Sequence, residues 1–188
     1  MSFKVVPFSN ELDLTEFYSS AAARGFDNNS SKHMLVDCFN NEREKQTWLL
    51  YFNDTVVGSV AAHSFDDVMG TNSYRIAART CIFTDKLEGV YGSALRTISV
   101  ITHHQNPTAQ FLIPACIEWA PKGASLYITS NENAVGTQRK VHRTFGPALA
   151  KKGIMKIAAE VQYRGTMQTV WQFFPEIFLK DLEQYPKW

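Results

Sequence analysis

No apolar run in this chain approaches the roughly 18 residues that a membrane-spanning helix needs, and the opening Met-Ser-Phe-Lys-Val-Val-Pro-Phe lacks the long apolar segment of a secretory signal. A membrane partner is not expected, and a cytoplasmic location is. Cysteine is scarce: Cys38, Cys81 and Cys116 are widely spaced and odd in number, which disfavours a disulfide framework and points to buried thiols. Neither sign of charge is in excess, since 19 basic against 18 acidic residues leave a formal net charge of +1. Wholesale electrostatic attachment to nucleic acid is therefore not indicated, although a local patch can still form. A glycine-flanked nucleophilic serine, a Walker loop and a Rossmann fingerprint are all missing. His103 and His104 are adjacent and cannot readily share a metal from a helix, and no cysteine or carboxylate stands at ligand spacing, so no metal is expected.

What the chain does have is apolar and aromatic content. With 188 residues, 45% hydrophobic and 13% aromatic, it suits a single domain over residues 1–188 with a substantial core. The most informative stretch runs from Gln46 to Phe83. An aromatic strand (Gln46 to Phe52) is followed by Asn53-Asp54, by a second strand with an early Gly58, and after a polar loop from Asp66 to Ser73 by a third strand from Tyr74. Asn and Asp tolerate the left-handed backbone of a tight turn, so the pattern predicts a three-stranded antiparallel meander.

Before it, Phe3 to Phe8 reads as an edge strand that Pro7 would end, and helical segments are expected near Glu11 to Arg24 and Lys32 to Phe39. After it the period changes to about 3.6, with Tyr91, Leu95, Ile98 and Ile101 on one helical face. A second helical piece from Thr108 to Trp119 must kink or shorten at Pro114. Ala124 to Thr129 is a short strand. A helix capped within Ser130 to Asn133 should run toward Phe145, break at Gly146-Pro147, restart, and stop at Gly153. Met155 to Tyr163 and Thr166 to Phe174 read as a hairpin turning through Arg164-Gly165, and a short helix follows Pro175. On the second hairpin strand, alternation puts Gln168 and Gln172 on a polar side and Thr169, Trp171 and Phe173 on a buried one.

This order of elements resembles the GNAT superfamily of acyl-CoA-dependent N-acetyltransferases. The resemblance implies an α/β fold with a mixed, mainly antiparallel central sheet of about six or seven strands flanked by helices. It also implies acetyl-CoA as cosubstrate and transfer of an acetyl or similar acyl group to an amine. In that family the loop after the third meander strand binds the cofactor pyrophosphate through bare amides at a helix start. The matching segment here is Lys86-Leu87-Glu88-Gly89-Val90-Tyr91-Gly92-Ser93. Lys86, Gly89, Gly92 and Ser93 are its cofactor-binding candidates, with the second glycine one position later than the family pattern. Backbone amides around Cys81 to Phe83 would polarise the thioester carbonyl. Gly153-Ile154 matches a further family element, and counting back from it puts Leu149 where the family carries a tyrosine that protonates the departing thiolate.

Attack by an amine also requires loss of a proton. Glu160 and His63 are catalytic candidates for the base that takes it, with Glu118 weighed beside them, and Tyr163, with Tyr127, is a candidate by type to give the thiolate its proton where the family's tyrosine is missing. Arg75 and Arg79, four apart on one strand, are candidates to bind an acidic acceptor or to pair with Asp66 and Asp67, and Arg164 beside Tyr163 to hold a planar one. The partner expected is a small-molecule or nucleotide acceptor, and self-association as an oligomer is left open. The run Arg139-Lys140-Val141-His142-Arg143, with Lys151 and Lys152, opens the alternative of a protein of this fold that binds or modifies nucleic acid.

Overall fold

The computed structural model describes residues 3–9, 45–52, 54–79, 108–134, 139 and 141–185. The helices expected before residue 45 and between Tyr91 and Ile101 lie outside these residues, as does the loop from Lys86 to Ser93.

Seven strands form one sheet in the order β1-β2-β3-β4-β5-β7-β6. β1 (Phe3–Pro7) is an edge strand antiparallel to β2 (Lys45–Phe52). β2 turns into β3 (Thr55–Ser64) with Phe52 opposite Thr55, and β3 pairs antiparallel with β4 (Ser73–Arg79). This is the expected meander as far as Arg79. The register slips between Leu50 and Tyr51, whose partners are Gly58 and Val56, so Val57 is an extra residue on β3. A bulge beside a glycine bends the strand at low cost. The polar stretch between β3 and β4 is not wholly loop, because Asp66–Met69 winds one helical turn, α1. Its Asp66 Oδ1 accepts the Ser73 amide at 2.9 Å and so closes the connection.

β4 is followed, after residues 80–107, by a π-helical turn at Thr108–Leu112 that passes into the α-helix α2 (Ile113–Trp119). Pro114 sits in the first turn of α2, where its missing amide costs least, so the proline marks the change of helix type. β5 (Ser125–Ser130) runs parallel to β4. A second π turn, Val141–Phe145, leads into α3 (Gly146–Lys151). The break expected at Gly146-Pro147 does not occur: Phe145 keeps right-handed helical angles (φ −74°, ψ −43°), and the chain passes from wide turn to narrow turn without leaving the helix. Close packing explains the glycine. A Cβ on Gly146 would lie 2.7 Å from the Trp171 ring and 2.7 Å from the Val141 carbonyl, so glycine is there for close approach.

α3 ends as expected at Gly153, whose φ is +73°. The Ile154 amide reaches back to the Leu149 carbonyl and the Gly153 amide to that of Ala150. This Schellman arrangement satisfies two carbonyls that would otherwise be orphaned, and both Leu149 and Ile154 are buried. β6 (Met155–Tyr163) and β7 (Thr166–Phe173) make the expected hairpin. Arg164 and Gly165 both have positive φ (51° and 78°), the backbone that a two-residue hairpin turn requires. α4 (Pro175–Leu182) closes the described chain.

Strand alternation divides the sheet into two faces. Trp48, Leu50, Val60, Ala62, Tyr74, Ile76, Leu126, Trp171 and Phe173 form the main core with Leu112, Cys116, Leu149 and Phe178 from the helices. Each large apolar side chain buried this way contributes roughly 2 kcal/mol. On the other face Phe65, Tyr127 and Val170 cluster with Ala159, Val161 and Tyr163. One expectation fails here. The side of β7 expected to be polar carries Val170, on which Phe65 and Tyr127 pack, and Gln168 is buried there as well. Cys116 is a buried thiol whose ionisation is pushed up by burial, as expected for a packing residue.

Candidate active site

Among the described residues the sheet opens between β4 and β5. β4 and β5 pair through only three positions, Ser73 with Ser125, Tyr74 with Leu126 and Arg75 with Tyr127. Beyond Arg75, β4 continues to Arg79 and β5 continues to Ser130 without pairing to each other. The two strands thus part as a V, and each presents to the gap the backbone amides and carbonyls that a neighbouring strand would have bonded. Such a gap suits an extended ligand that itself carries amides, in the way a peptide adds to a strand edge.

The apex of the V is tied by Arg75, which is only 6% exposed. Its Nε donates to Thr129 Oγ1 on β5 at 2.9 Å, and its Nη1 lies 3.3 Å from His63 Nε2 on β3, directly across the ladder. His63 Nδ1 is 2.8 Å from the Ser64 carbonyl. The ring proton therefore sits on Nδ1 and the Nε2 lone pair accepts from Arg75. Burial and the Arg75 charge beside it lower the His63 pKa to about 4. The imidazole is neutral near pH 7, and the nitrogen that would take up a proton is aimed at a cation. This geometry makes His63 a support for Arg75.

The hairpin tip approaches the same apex. The Arg75 guanidinium stands 5.3 Å from the centre of the Tyr163 ring, and that of Arg164 stands 5.4 Å from it. Phe65 meets Tyr163 edge-on with ring centres 5.4 Å apart. Behind them Gln168 donates from Nε2 to the Tyr163 carbonyl at 3.1 Å, while its buried Oε1 has no partner. Sequence alternation placed Gln168 on a polar side and so missed it as part of a site.

Four of the residues singled out from sequence, His63, Arg75, Tyr163 and Arg164, are therefore brought together. Glu160 is not: it lies on β6 at the sheet margin, exposed, with Oε1 accepting from Thr169 Oγ1 at 2.7 Å. Arg79 ends β4, and its side chain lies outside what is described. Cys81, Phe83, Lys86, Gly89, Gly92 and Ser93 fall outside the described residues. Glu118 borders a separate cleft of about 270 Å³ with Trp48 and Trp119, formed by β2 and α2.

A further cluster stands at the open end of the V. Ser130, the last residue of β5, is fully buried, and its Oγ accepts the Trp171 indole N–H at 2.7 Å. The same oxygen lies 3.3 Å from His142 Nδ1 on the π turn before α3. Nothing in the sequence spacing announced this group, because its members are 12 and 41 residues from Ser130. In the basic stretch, Arg143 faces Glu132 at 3.3 Å, and Lys152 faces Asp181 at 3.0 Å. Two of its charges are thus matched on the surface. Among the described residues no group of three His, Cys, Asp or Glu is arranged to hold a metal, and no helix is long and apolar enough to cross a membrane.

No protein-family profile and no curated protein sequence matches the chain. Solved structures do. The aminoglycoside acetyltransferase AAC(6')-Ib, in complex with coenzyme A and kanamycin, superposes with a TM-score of 0.58 at 8% identity, over 95% of this chain and 98% of that one. A chimera of spermidine N-acetyltransferase SpeG from Vibrio cholerae with hSSAT gives 0.52 at 7% identity, over 95% and 98%. An uncharacterized protein from Bacillus halodurans gives 0.58 at 10% identity, over 97% and 89%. With a mostly antiparallel seven-stranded sheet, one parallel contact and flanking helices, the chain has the fold of the GNAT N-acetyltransferases.

Proposed function

We propose that this protein transfers an acetyl or similar acyl group from acyl-coenzyme A to an amine. The observation that carries the reading is the parting of β4 and β5 beyond Arg75 and Tyr127. The pantetheine arm of coenzyme A is an extended chain with two amides, and the free backbone groups on both walls of the V are of the right kind to bond it. A neighbour of the same fold was solved with coenzyme A bound. When bound, the cosubstrate supplies a thioester whose carbonyl carbon an amine can attack.

The protein's part is to orient and to manage charge. β4 amides directed into the V stabilise the carbonyl oxygen as charge develops on it. Arg75, locked to Thr129 and His63, keeps the apex from closing or widening. Gln168, whose Nε2 bonds the Tyr163 carbonyl, fixes the hairpin tip on the side of the acceptor. Tyr163 and Arg164, at the hairpin tip, would border that acceptor.

The test is thermal. A ligand held only by the native state raises the melting temperature by mass action. Millimolar acetyl-CoA should raise it by several degrees, whereas acetate or adenosine should not. Absence of a shift with acetyl-CoA and with free coenzyme A would remove the cofactor from this reading.

A further inference from the structure

From the Trp171–Ser130–His142 chain we infer that His142 delivers the proton to the departing thiolate, with Ser130 as its positioning residue. This inference rests on the acyl-transfer reading and extends it to one named group.

Three features place the chain at the reaction. Ser130 ends β5 on the stretch that β4 has left, so it stands at the open part of the V. It is fully buried, whereas His142 is half-buried and keeps part of its surface open to a ligand. Trp171 can only donate, and its N–H occupies one lone pair of Ser130 Oγ at 2.7 Å. His142 Nδ1 lies 3.3 Å from the same oxygen, within reach of the hydroxyl hydrogen and of its second lone pair. A neutral ring with its proton on Nε2 accepts the hydroxyl hydrogen at Nδ1. When the ring is protonated, the hydroxyl turns and its second lone pair accepts Nδ1–H. Ser130 can therefore hold the same ring orientation in both protonation states, as a group that gives and regains a proton requires.

The step balances. The amine nitrogen bonds to the thioester carbonyl carbon, the C–S bond breaks, and its electron pair goes to sulfur. His142, as the imidazolium with Nδ1–H held by Ser130 Oγ, gives its Nε2 proton to that sulfur and is left neutral. The amine loses one proton to solvent, and solvent returns one to His142. With water in place of the amine, the products are acetate, the free thiol of coenzyme A and one proton. This second form needs no knowledge of the acceptor.

The experiment follows thiol release from acetyl-CoA without an added amine, alongside acetyl-CoA affinity from thermal shifts, for the wild type, His142→Gln and Ser130→Ala. His142→Gln should bind acetyl-CoA within about twofold of wild type but release thiol at least tenfold more slowly. Ser130→Ala should lower kcat less severely, with KM unchanged. In the unaltered protein, free coenzyme A should shift the His142 ring resonances in NMR spectra, a readout that needs neither turnover nor a folded variant. A wild type that binds acetyl-CoA, with His142→Gln releasing thiol at the same rate or His142 resonances unmoved by coenzyme A, would overturn the inference alone. A wild type that binds neither acetyl-CoA nor coenzyme A would overturn the acyl-transfer reading, and this inference with it.

Discussion

Arg75 on β4 bonds Thr129 on β5 at a point two residues past the last backbone pair between the two strands. The side chains thus continue a connection that the backbone has given up. Thr129→Val keeps the shape of the residue and removes only the oxygen, leaving a buried guanidinium N–H without its acceptor. The expected loss is about 1–3 kcal/mol of stability, measured by urea denaturation. A loss below about 0.5 kcal/mol would mean that the apex is held by strand pairing alone.

Gly146→Ala sets two effects of opposite sign against each other. Alanine favours a helix over glycine by about 1 kcal/mol, but its Cβ would stand 2.7 Å from both the Trp171 ring and the Val141 carbonyl. One of these neighbours is backbone, so overpacking of about 1–3 kcal/mol should win. A melting temperature equal to or above wild type would show that the π turn relaxes to admit the methyl.

His63 gives a pH signature. Its folded pKa of about 4 lies below the ordinary 6.5, so between these values the unfolded chain binds the extra proton. Its contribution to stability is complete above about pH 6.5, falls as the pH drops toward 4, and changes no further below that. The full amplitude is a few kcal/mol. Stability curves of wild type and His63→Gln should converge as the pH is lowered through this window. Parallel curves would mean that the imidazole is not buried against Arg75.

The loop from Lys86 to Ser93 offers a prediction from sequence alone. If its amides bind the cofactor pyrophosphate, a side chain at Gly89 obstructs the approach. Gly89→Val should weaken acetyl-CoA binding at least about tenfold, roughly 1.4 kcal/mol, with an unchanged circular-dichroism spectrum. Wild-type affinity in a folded variant would make the loop a connector.

Where one local rule dominates, the sequence is a good guide to this structure. Alternation around Asn53-Asp54 and the positive-φ pair Arg164-Gly165 marked both hairpins, and Gly153 marked a helix end. Reading failed where distant residues decide. Gly146-Pro147 looks like a breaker by propensity, but Trp171 makes the glycine a packing residue and the helix continues through it. Gln168 looks solvent-facing by alternation, but Phe65 and Tyr127, remote in sequence, pack on Val170 of the same face and Gln168 is buried. Ser130, His142 and Trp171 sit on three separate elements and share no spacing rule. His63 and Arg75 were each noticed, yet only the β3–β4 register shows that they face each other and leave His63 little basicity.

The wide turn before α3 has a geometric result for the residues on either side of it. His142 and Leu149 are seven positions apart, a spacing that an unbroken α-helix would place almost in one row. Leu149 is 5% exposed and belongs to the main core, so a uniform helix would carry the imidazole toward that apolar wall. In the π turn Val141–Phe145 each residue advances the helix by a smaller rotation, and His142 falls out of line with Leu149. A phase slip of a fraction of one turn thus separates an oily neighbour from a polar one, and it lets a single short helix serve the interior with one residue and the mouth of the strand opening with another.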